Sequence, residues 1–171
     1  MCGRLASVTV VCVLHLIVMY EAMFSETLAC NASDIFAAVA SVSGVVELEP
    51  GNAGGLANCD ANFAAHGQRV SVLQIHGDAD FVVPWTGDSL LGFPDIPTDM
   101  LDWSARNGCL NTTQQTLNVG SFTNQVWQKC DYGVSVELVR NAGGSHEWPS
   151  ATGFDTSTYI AEFFKHAPSR N

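Results

Sequence analysis

The stretch Gly143-Gly144-Ser145-His146-Glu147-Trp148-Pro149 decides how this sequence folds, together with the earlier stretch His76-Gly77-Asp78-Ala79-Asp80. Each follows an apolar run that is typical of a β-strand. In an open α/β sheet, reactive side chains collect on the loops beyond the carboxyl ends of the strands. An acid on one such loop and a histidine on a later one form the Asp…His part of a Ser-Asp-His hydrolase triad. The two stretches therefore predict an α/β fold with Asp80 and His146 as a catalytic pair.

Strands alternate with helices along the rest of the chain, which predicts an α/β fold with a largely parallel sheet. Thr98 is a candidate N-cap of the middle helix, and Gly108 suits the position just after its end. We expect helices over 22–29 and 156–165 and a third between Thr98 and Gly108, strands over 37–42, 70–75 and 134–139, and a hairpin between 114–119 and 124–129.

Length and charge limit the possible classes of protein. A chain of 171 residues with 47% hydrophobic content suggests one domain with a sizeable core. Seven Lys and Arg residues stand against seventeen Asp and Glu, which gives a formal net charge of −10. Phosphate backbones and anionic membrane surfaces would repel such a protein, so nucleic acid is not expected as a partner.

The cysteines and glycosylation sequons favour secretion. Antiparallel pairing in the predicted hairpin would bring Cys109 and Cys130 together, leaving Cys30 to pair with Cys59. The sequence has no CxxC motif or Cys/His cluster, so no metal site is predicted. Sequons at Asn31 and Asn111 would suit an extracellular glycoprotein, and reduced, buried cysteines are the alternative.

Residues 1–21 form an apolar N-terminal segment with two interpretations. Arg4 before an apolar run has the outline of a signal peptide, although no clean cleavage site follows. The run is short for a membrane span, so no stable span is expected, and its valines also fit a buried strand.

Each residue of the proposed pair also has a simpler interpretation. Asp80 alone could stabilise an Asx turn, and His146 alone could be a surface histidine. Asp78 is a rival acid, but it lies closer to the strand end, where a turn-stabilising side chain is expected. We expect His76 to be packed at the end of its strand, and Glu147 to project away from its neighbour His146.

The segment 76–85 resembles the acid-bearing segment of an esterase family that includes polyhydroxybutyrate depolymerases and feruloyl esterases. The segment 144–149 is similar to that family's GGHxWP motif. The spacings of Trp103 to Cys109 and of Trp127 to Gly133 also match, and the resemblance covers roughly residues 22–164.

The resemblance implies an α/β-hydrolase fold and secreted hydrolysis of carboxylic esters, with Asp80 as acid and His146 as base. Pro84, Trp85 and Trp148 would line the substrate cleft. The substrate would be an ester-bearing polysaccharide, such as a feruloylated one, or an aliphatic polyester. No cofactor is implied. Residues 22–171 would be the C-terminal part of the hydrolase domain, without its N-terminal strands and nucleophile elbow.

The nucleophile does not match the family. No G-x-S-x-G motif occurs in the sequence. By the resemblance, residues 17–21 occupy the position of that motif, with Met19 in place of the serine. Methionine is no acyl acceptor, and Ser25 lies within a predicted helix. We therefore expect a poor esterase, from a truncated gene model or a pseudoenzyme. The alternatives are a secreted module that binds carbohydrate or polymer, and an unstable fragment.

Overall fold

The computed structural model describes residues 20–45, 61, 64–65, 68–110 and 112–168. Residues 61, 64 and 65 are helical. The other described helices are α1 (Tyr20–Asn31), α2 (Ile96–Arg106) and α3 (Thr156–Lys165). The strands are β1 (Ala38–Val42), β2 (Ser71–Gly77), β3 (Thr113–Gln114), β4 (Asn118–Val119), β5 (Phe122–Trp127), β6 (Val136–Asn141), β7 (Ser150–Ala151) and β8 (Phe154–Asp155).

The central sheet has six strands in the order β1-β2-β6-β5-β3, and β4 also pairs with β5. Strands β1, β2 and β6 are mutually parallel, whereas β5 is antiparallel to β6, and β3 and β4 are antiparallel to β5. The carboxyl ends of β1, β2 and β6 therefore meet at one edge of the sheet. The expected α/β architecture is confirmed at this level, and the finer assignment to an α/β-hydrolase stays a prediction.

Helices cover both faces of the sheet. Helices α1 and α2 pack on one face, where Met23, Trp103 and Val72 belong to the same buried cluster. Helix α3 packs on the other, where Ile160 and Phe163 join Leu73 in a second cluster. Because side chains alternate along a strand, β2 supplies both clusters, and all seven of its residues are buried.

The helix boundaries correct one prediction. Helix α3 has the predicted bounds, with Ile160 and Phe163 buried as expected. Helix α2 begins earlier than predicted, because Asp95 is its N-cap and the Asp95 side chain accepts a hydrogen bond from the backbone N–H of Thr98. Thr98 as N-cap was therefore wrong. Gly108 follows the helix with φ of +62°, a left-handed conformation that favours glycine.

The predicted hairpin and one predicted disulfide are confirmed. Short strands β3 and β4 both pair with β5, and Cys109 and Cys130 are joined by a disulfide bond. Cys30 is also disulfide-bonded, but its predicted partner Cys59 lies outside the described residues. A disulfide is consistent with a secreted protein.

Most of the N-terminal segment 1–21 also lies outside the described residues, so neither interpretation of it is tested. Within the part of the chain that the structure describes, no helix is long and apolar enough to cross a membrane.

A pair of buried acids lies between α1 and α2. Glu26 of α1 and Asp99 of α2 are both fully buried, and Trp103 Nε1 donates a hydrogen bond to Glu26 Oε2 at 3.2 Å. Burial raises the pKa of Asp99 well above its ordinary value of 3.8, and the nearby charge of Glu26 raises that pKa further. The contact between the two helices therefore favours a protonated Asp99.

Asp99→Asn should stabilise the protein at neutral pH. A raised pKa means that the folded state binds this proton more tightly than the unfolded chain does. The stabilisation from Asp99 is thus complete below pH 3.8 and is lost as the pH rises through the folded pKa. The gain in the free energy of unfolding should grow with pH over that window, by at most about 1.4 kcal/mol per pH unit.

Urea denaturation of wild type and variant between pH 4 and pH 8 measures this difference. Asp102→Asn, on the same helix, is the control and should show a much smaller change. A difference between wild type and Asp99→Asn that does not change with pH would contradict the assignment of a raised pKa.

Candidate active site

The loops after β2 and β6 are bound together at the carboxyl edge of the sheet. The two strands pair in parallel with Gly77 opposite Asn141, so both loops start at the same level. The backbone N–H of Asp78 donates to the carbonyl of Asn141 at 3.1 Å, and that of Ala79 donates to the carbonyl of Gly144 at 3.0 Å. The first loop carries Asp80 and the second carries His146.

Glycines permit this close approach. A Cβ atom at Gly77 would lie 2.2 Å from the carbonyl oxygen of Gly144, which is backbone and cannot turn aside. A Cβ atom at Gly144 would in turn lie 2.2 Å from the side-chain nitrogen of Asn141. The contact of Gly144 lies within its own loop, whereas the contact of Gly77 is with the backbone of the other loop, so Gly77 is the glycine that permits the close approach of the two loops.

The structure brings the predicted acid and the predicted histidine into direct contact. His146 Nδ1 lies 2.8 Å from Asp80 Oδ2, within hydrogen-bonding distance. The Asp80 side chain is fully buried, whereas 20% of the His146 side chain is exposed. The carboxylate is thus hidden behind the imidazole, and the histidine is the member that solvent can reach.

Asp80 also stabilises a turn. Its Oδ1 atom accepts hydrogen bonds from the backbone N–H groups of Val82 at 2.8 Å and Val83 at 2.9 Å. The Asx turn and the contact with His146 were alternatives in the sequence, but one carboxylate makes both, with one oxygen for each. The turn therefore fixes the direction in which Oδ2 faces His146.

This contact assigns the histidine tautomer. An ionised carboxylate only accepts hydrogen bonds, so the hydrogen must lie on His146 Nδ1. The lone pair of the neutral ring then lies on Nε2, the nitrogen turned away from Asp80. An imidazole held in this tautomer can remove a proton from a hydroxyl group or from water, and the carboxylate stabilises the imidazolium that forms.

His76 is a second histidine beside Asp80, and it is fully buried at the end of β2, as the sequence predicted. Its Nε2–H donates to the carbonyl of Val83 at 2.9 Å, and its Nδ1 accepts from Gln74 Nε2 at 2.8 Å. Burial lowers the pKa of His76. A neutral ring whose two nitrogens are both hydrogen-bonded is suited to a structural role beside the acid. Its Nε2 atom lies 3.5 Å from Asp80 Oδ2. Sequence reasoning did not anticipate this contact.

Asp78, the rival acid, has different partners. Its Oδ1 atom accepts from the backbone N–H of Gly143 at 2.6 Å, and its Oδ2 atom accepts from Arg140, with Nε at 2.8 Å. The hydrogen bond from Gly143 is the main reason why the pKa of Asp78 is lowered, and Arg140 adds to it. Asp78 therefore stabilises the turn after β6, as expected for an acid so close to the strand end.

The turn after β1 connects the histidine loop to helix α1. Ser43, with φ of +54°, donates a hydrogen bond from Oγ to the carbonyl of Glu147 at 3.0 Å. Next to it, a Cβ atom at Gly44 would lie 2.3 Å from Ala22 Cβ in the first turn of α1. The amino end of α1 thus lies close to the loop that carries His146. Sequence reasoning missed Ser43, because serine in a turn has no distinctive pattern.

The predicted cleft residues lie in different places. Trp85 is partly buried against the α1 and α2 side of the core, with its ring centre 6.2 Å from that of His76. Trp148 is partly buried against the α3 side. Pro84 is half-buried, and Phe81, directly after Asp80, is 91% exposed. The structure thus places Trp85 beside His76, and the substrate cleft with Pro84, Trp85 and Trp148 stays a prediction.

The predicted glycosylation sites are described only in part. Asn31 is exposed at the end of α1, where its Nδ2 donates to the carbonyl of Thr27 at 2.9 Å. Asn111 lies outside the described residues, as do Ile17, Val18 and Met19. Among the residues that the structure does describe, no group of three or more His, Cys, Asp or Glu side chains could hold a metal ion.

Comparison with models of known protein families and with curated proteins finds no match for this chain. The case for a function therefore depends on the geometry of the site and on the sequence motifs.

Gly77→Ala should separate the two loops. The added methyl group meets the backbone of Gly144 and Ser145, so the loops must move apart or the strand must shift. Overpacking of this kind should lower the free energy of unfolding by about 1–3 kcal/mol. Urea denaturation measures this loss. Ser145→Ala, an exposed change in the same loop, is the control, and equal stability of the two variants would contradict the close packing.

Proposed function

We propose that this chain carries the acid–base pair of a secreted carboxylic-ester hydrolase with an α/β-hydrolase fold. The single observation that supports it most is the 2.8 Å contact between His146 Nδ1 and Asp80 Oδ2 on neighbouring loops at the carboxyl edge of the sheet. A buried acid, a partly exposed histidine and this order along the chain suit a Ser-Asp-His mechanism.

In this mechanism, His146 Nε2 removes the proton from the attacking hydroxyl and later returns it to the leaving alcohol. Asp80 orients the imidazole and stabilises its protonated form. Water then releases the acid by the same two steps, again with His146 as the base. Neither residue forms a bond to the substrate, so both act only through proton transfer and electrostatics.

The family resemblance puts the nucleophile at residue 19, which directly precedes α1 in the sequence. Gly44 packs on Ala22, and its neighbour Ser43 binds the carbonyl of Glu147 next to His146. These contacts support a location of the amino end of α1 close to the histidine. The sequence has Met19 at this position and lacks a G-x-S-x-G motif. The chain as written is therefore expected to hydrolyse esters no faster than the background.

The surroundings of the pair favour a neutral substrate with an aromatic or apolar acyl group. The net charge of −10 disfavours anionic substrates. The exposed ring of Phe81 directly follows the catalytic acid, and the partly buried Trp85 packs beside His76. Feruloylated polysaccharide and aliphatic polyester both fit this description. Because the nucleophile motif is missing, a module that binds such a polymer without cleaving it is the second candidate.

The decisive experiment rebuilds the nucleophile motif. The variant Ile17→Gly, Met19→Ser, Glu21→Gly restores G-x-S-x-G at residues 17–21. It should react with a fluorophosphonate label at position 19 and hydrolyse p-nitrophenyl acetate or methyl ferulate. His146→Ala in the same background should reduce the rate by at least about a hundredfold, because it removes the general base.

Circular dichroism should show that both proteins remain folded. Hydrolysis that is unchanged by His146→Ala would contradict the assignment of the base, and a folded variant that neither reacts with the label nor hydrolyses the esters would contradict the position of the nucleophile. Retention of the wild-type chain on xylan or polyester film, together with that second result, would favour the binding module.

A further inference from the structure

A cavity of about 690 Å³ lies on the α3 face of the sheet, far along the strands from the catalytic pair. Its floor includes Ser71 and Ser135, at the amino ends of β2 and β6, whereas Asp80 and His146 follow the carboxyl ends. Helix α3 forms one wall and the β7–β8 hairpin forms another. The volume lies within the usual range for small-molecule sites.

The floor of the cavity carries a buried carboxylate, that of Glu137 on β6. The residue is only 8% exposed, and it lines the cavity. Glu137 Oε1 accepts a short hydrogen bond from the hydroxyl of Tyr159 and another from Asn124 Nδ2 at 2.6 Å. Glu137 Oε2 makes no hydrogen bond with any residue that the structure describes. A buried acid without a cationic partner is unusual in a folded protein.

The surrounding hydrogen bonds fix this carboxylate in place. Asn124 Oδ1 accepts from the backbone N–H groups of Thr116 at 2.8 Å and Leu117 at 2.7 Å, so its amide nitrogen must face Glu137. Burial raises the pKa of Tyr159, and the hydrogen bond to Glu137 raises it further, so the phenol stays a donor. Both partners donate their hydrogen bonds to Oε1, so Oε2 can still accept a hydrogen bond from a ligand.

The walls are apolar and the rim carries charged groups of both signs. Phe154 and Phe163 are buried along the cavity, and Leu117 is half-buried beside them. Asp155 and Glu162 stand at the rim and are exposed, but Glu162 forms an ion pair with Lys165, and His166 also lines the cavity. The demand for a positive charge therefore comes from Glu137 on the floor, and the apolar walls favour a ligand with an apolar body.

We propose that this cavity binds a small amphiphilic amine, with its ammonium group on Glu137 Oε2 and its apolar body between α3 and the β7–β8 hairpin. An ammonium group supplies the donor and the charge that the buried carboxylate lacks. The apolar part gains from burial against Phe154 and Phe163. An anionic head group would meet the buried carboxylate of Glu137 and should bind more weakly.

The probe is n-octylamine, compared with octanoate and octanol of equal chain length. Titration followed by ¹H–¹⁵N NMR at pH 7 should show saturable shifts at the amides of Leu117, Thr158 and Phe163. Octylamine should bind at least about tenfold more tightly than octanol, because a charge-assisted hydrogen bond is added, and octanoate should bind more weakly still.

Three variants test the role of the carboxylate. Glu137→Gln keeps the shape of the side chain and should weaken octylamine binding about tenfold, whereas octanoate, no longer repelled by this carboxylate, should bind more tightly than to the wild type. Asp34→Asn removes one negative charge, as Glu137→Gln does, but at an exposed position on another loop, and it should leave binding unchanged. Thr158→Trp, an exposed position that lines the cavity, should block binding of all three probes, and it covers the case in which Glu137→Gln fails to fold.

Equal affinity for octylamine and octanoate would overturn the proposal, because the cavity would then select only for apolar bodies. Octylamine binding that persists in Thr158→Trp, or no saturable shift in the wild-type protein, would overturn it as well. None of these outcomes depends on ester hydrolysis, so the proposal stands or falls separately from the catalytic pair.

Discussion

The close approach of the β2 and β6 loops is the constraint on which the site depends. Parallel pairing places Gly77 opposite Asn141, and the backbone of Gly144 occupies the space that a side chain at Gly77 would need. Backbone hydrogen bonds from Asp78 and Ala79 then join the two loops. A buried carboxylate and a partly exposed imidazole can meet at 2.8 Å only because these backbones lie so close together.

Much of this arrangement follows from sequence pattern alone. Apolar runs predicted β1, β2 and β6, and the acid and the histidine after two of those strands predicted the pair. The hairpin predicted the disulfide between Cys109 and Cys130. These inferences succeed because strand order and loop position obey general rules of parallel sheets, which act over short stretches of chain.

Other features depend on tertiary contacts that no local pattern encodes. The N-cap of α2 is a local exception: it is Asp95 rather than Thr98, and Asp95 accepts a hydrogen bond from the backbone N–H of Thr98, only three residues away. The hydrogen bond of Ser43 to the carbonyl of Glu147 joins residues more than a hundred positions apart. The carboxylate of Glu137 lies in an apolar strand, and only the folded chain brings Tyr159 and Asn124 to it.

The tautomer of His146 separates a catalytic pair from a chance contact. Nitrogen-15 NMR of the histidine rings at pH 8 distinguishes the two neutral tautomers. A catalytic pair requires hydrogen on Nδ1 of His146, a strongly deshielded proton in its bond to Asp80, and loss of that signal in Asp80→Ala. A neutral ring with hydrogen on Nε2, or a signal unchanged in Asp80→Ala, would contradict a catalytic pair.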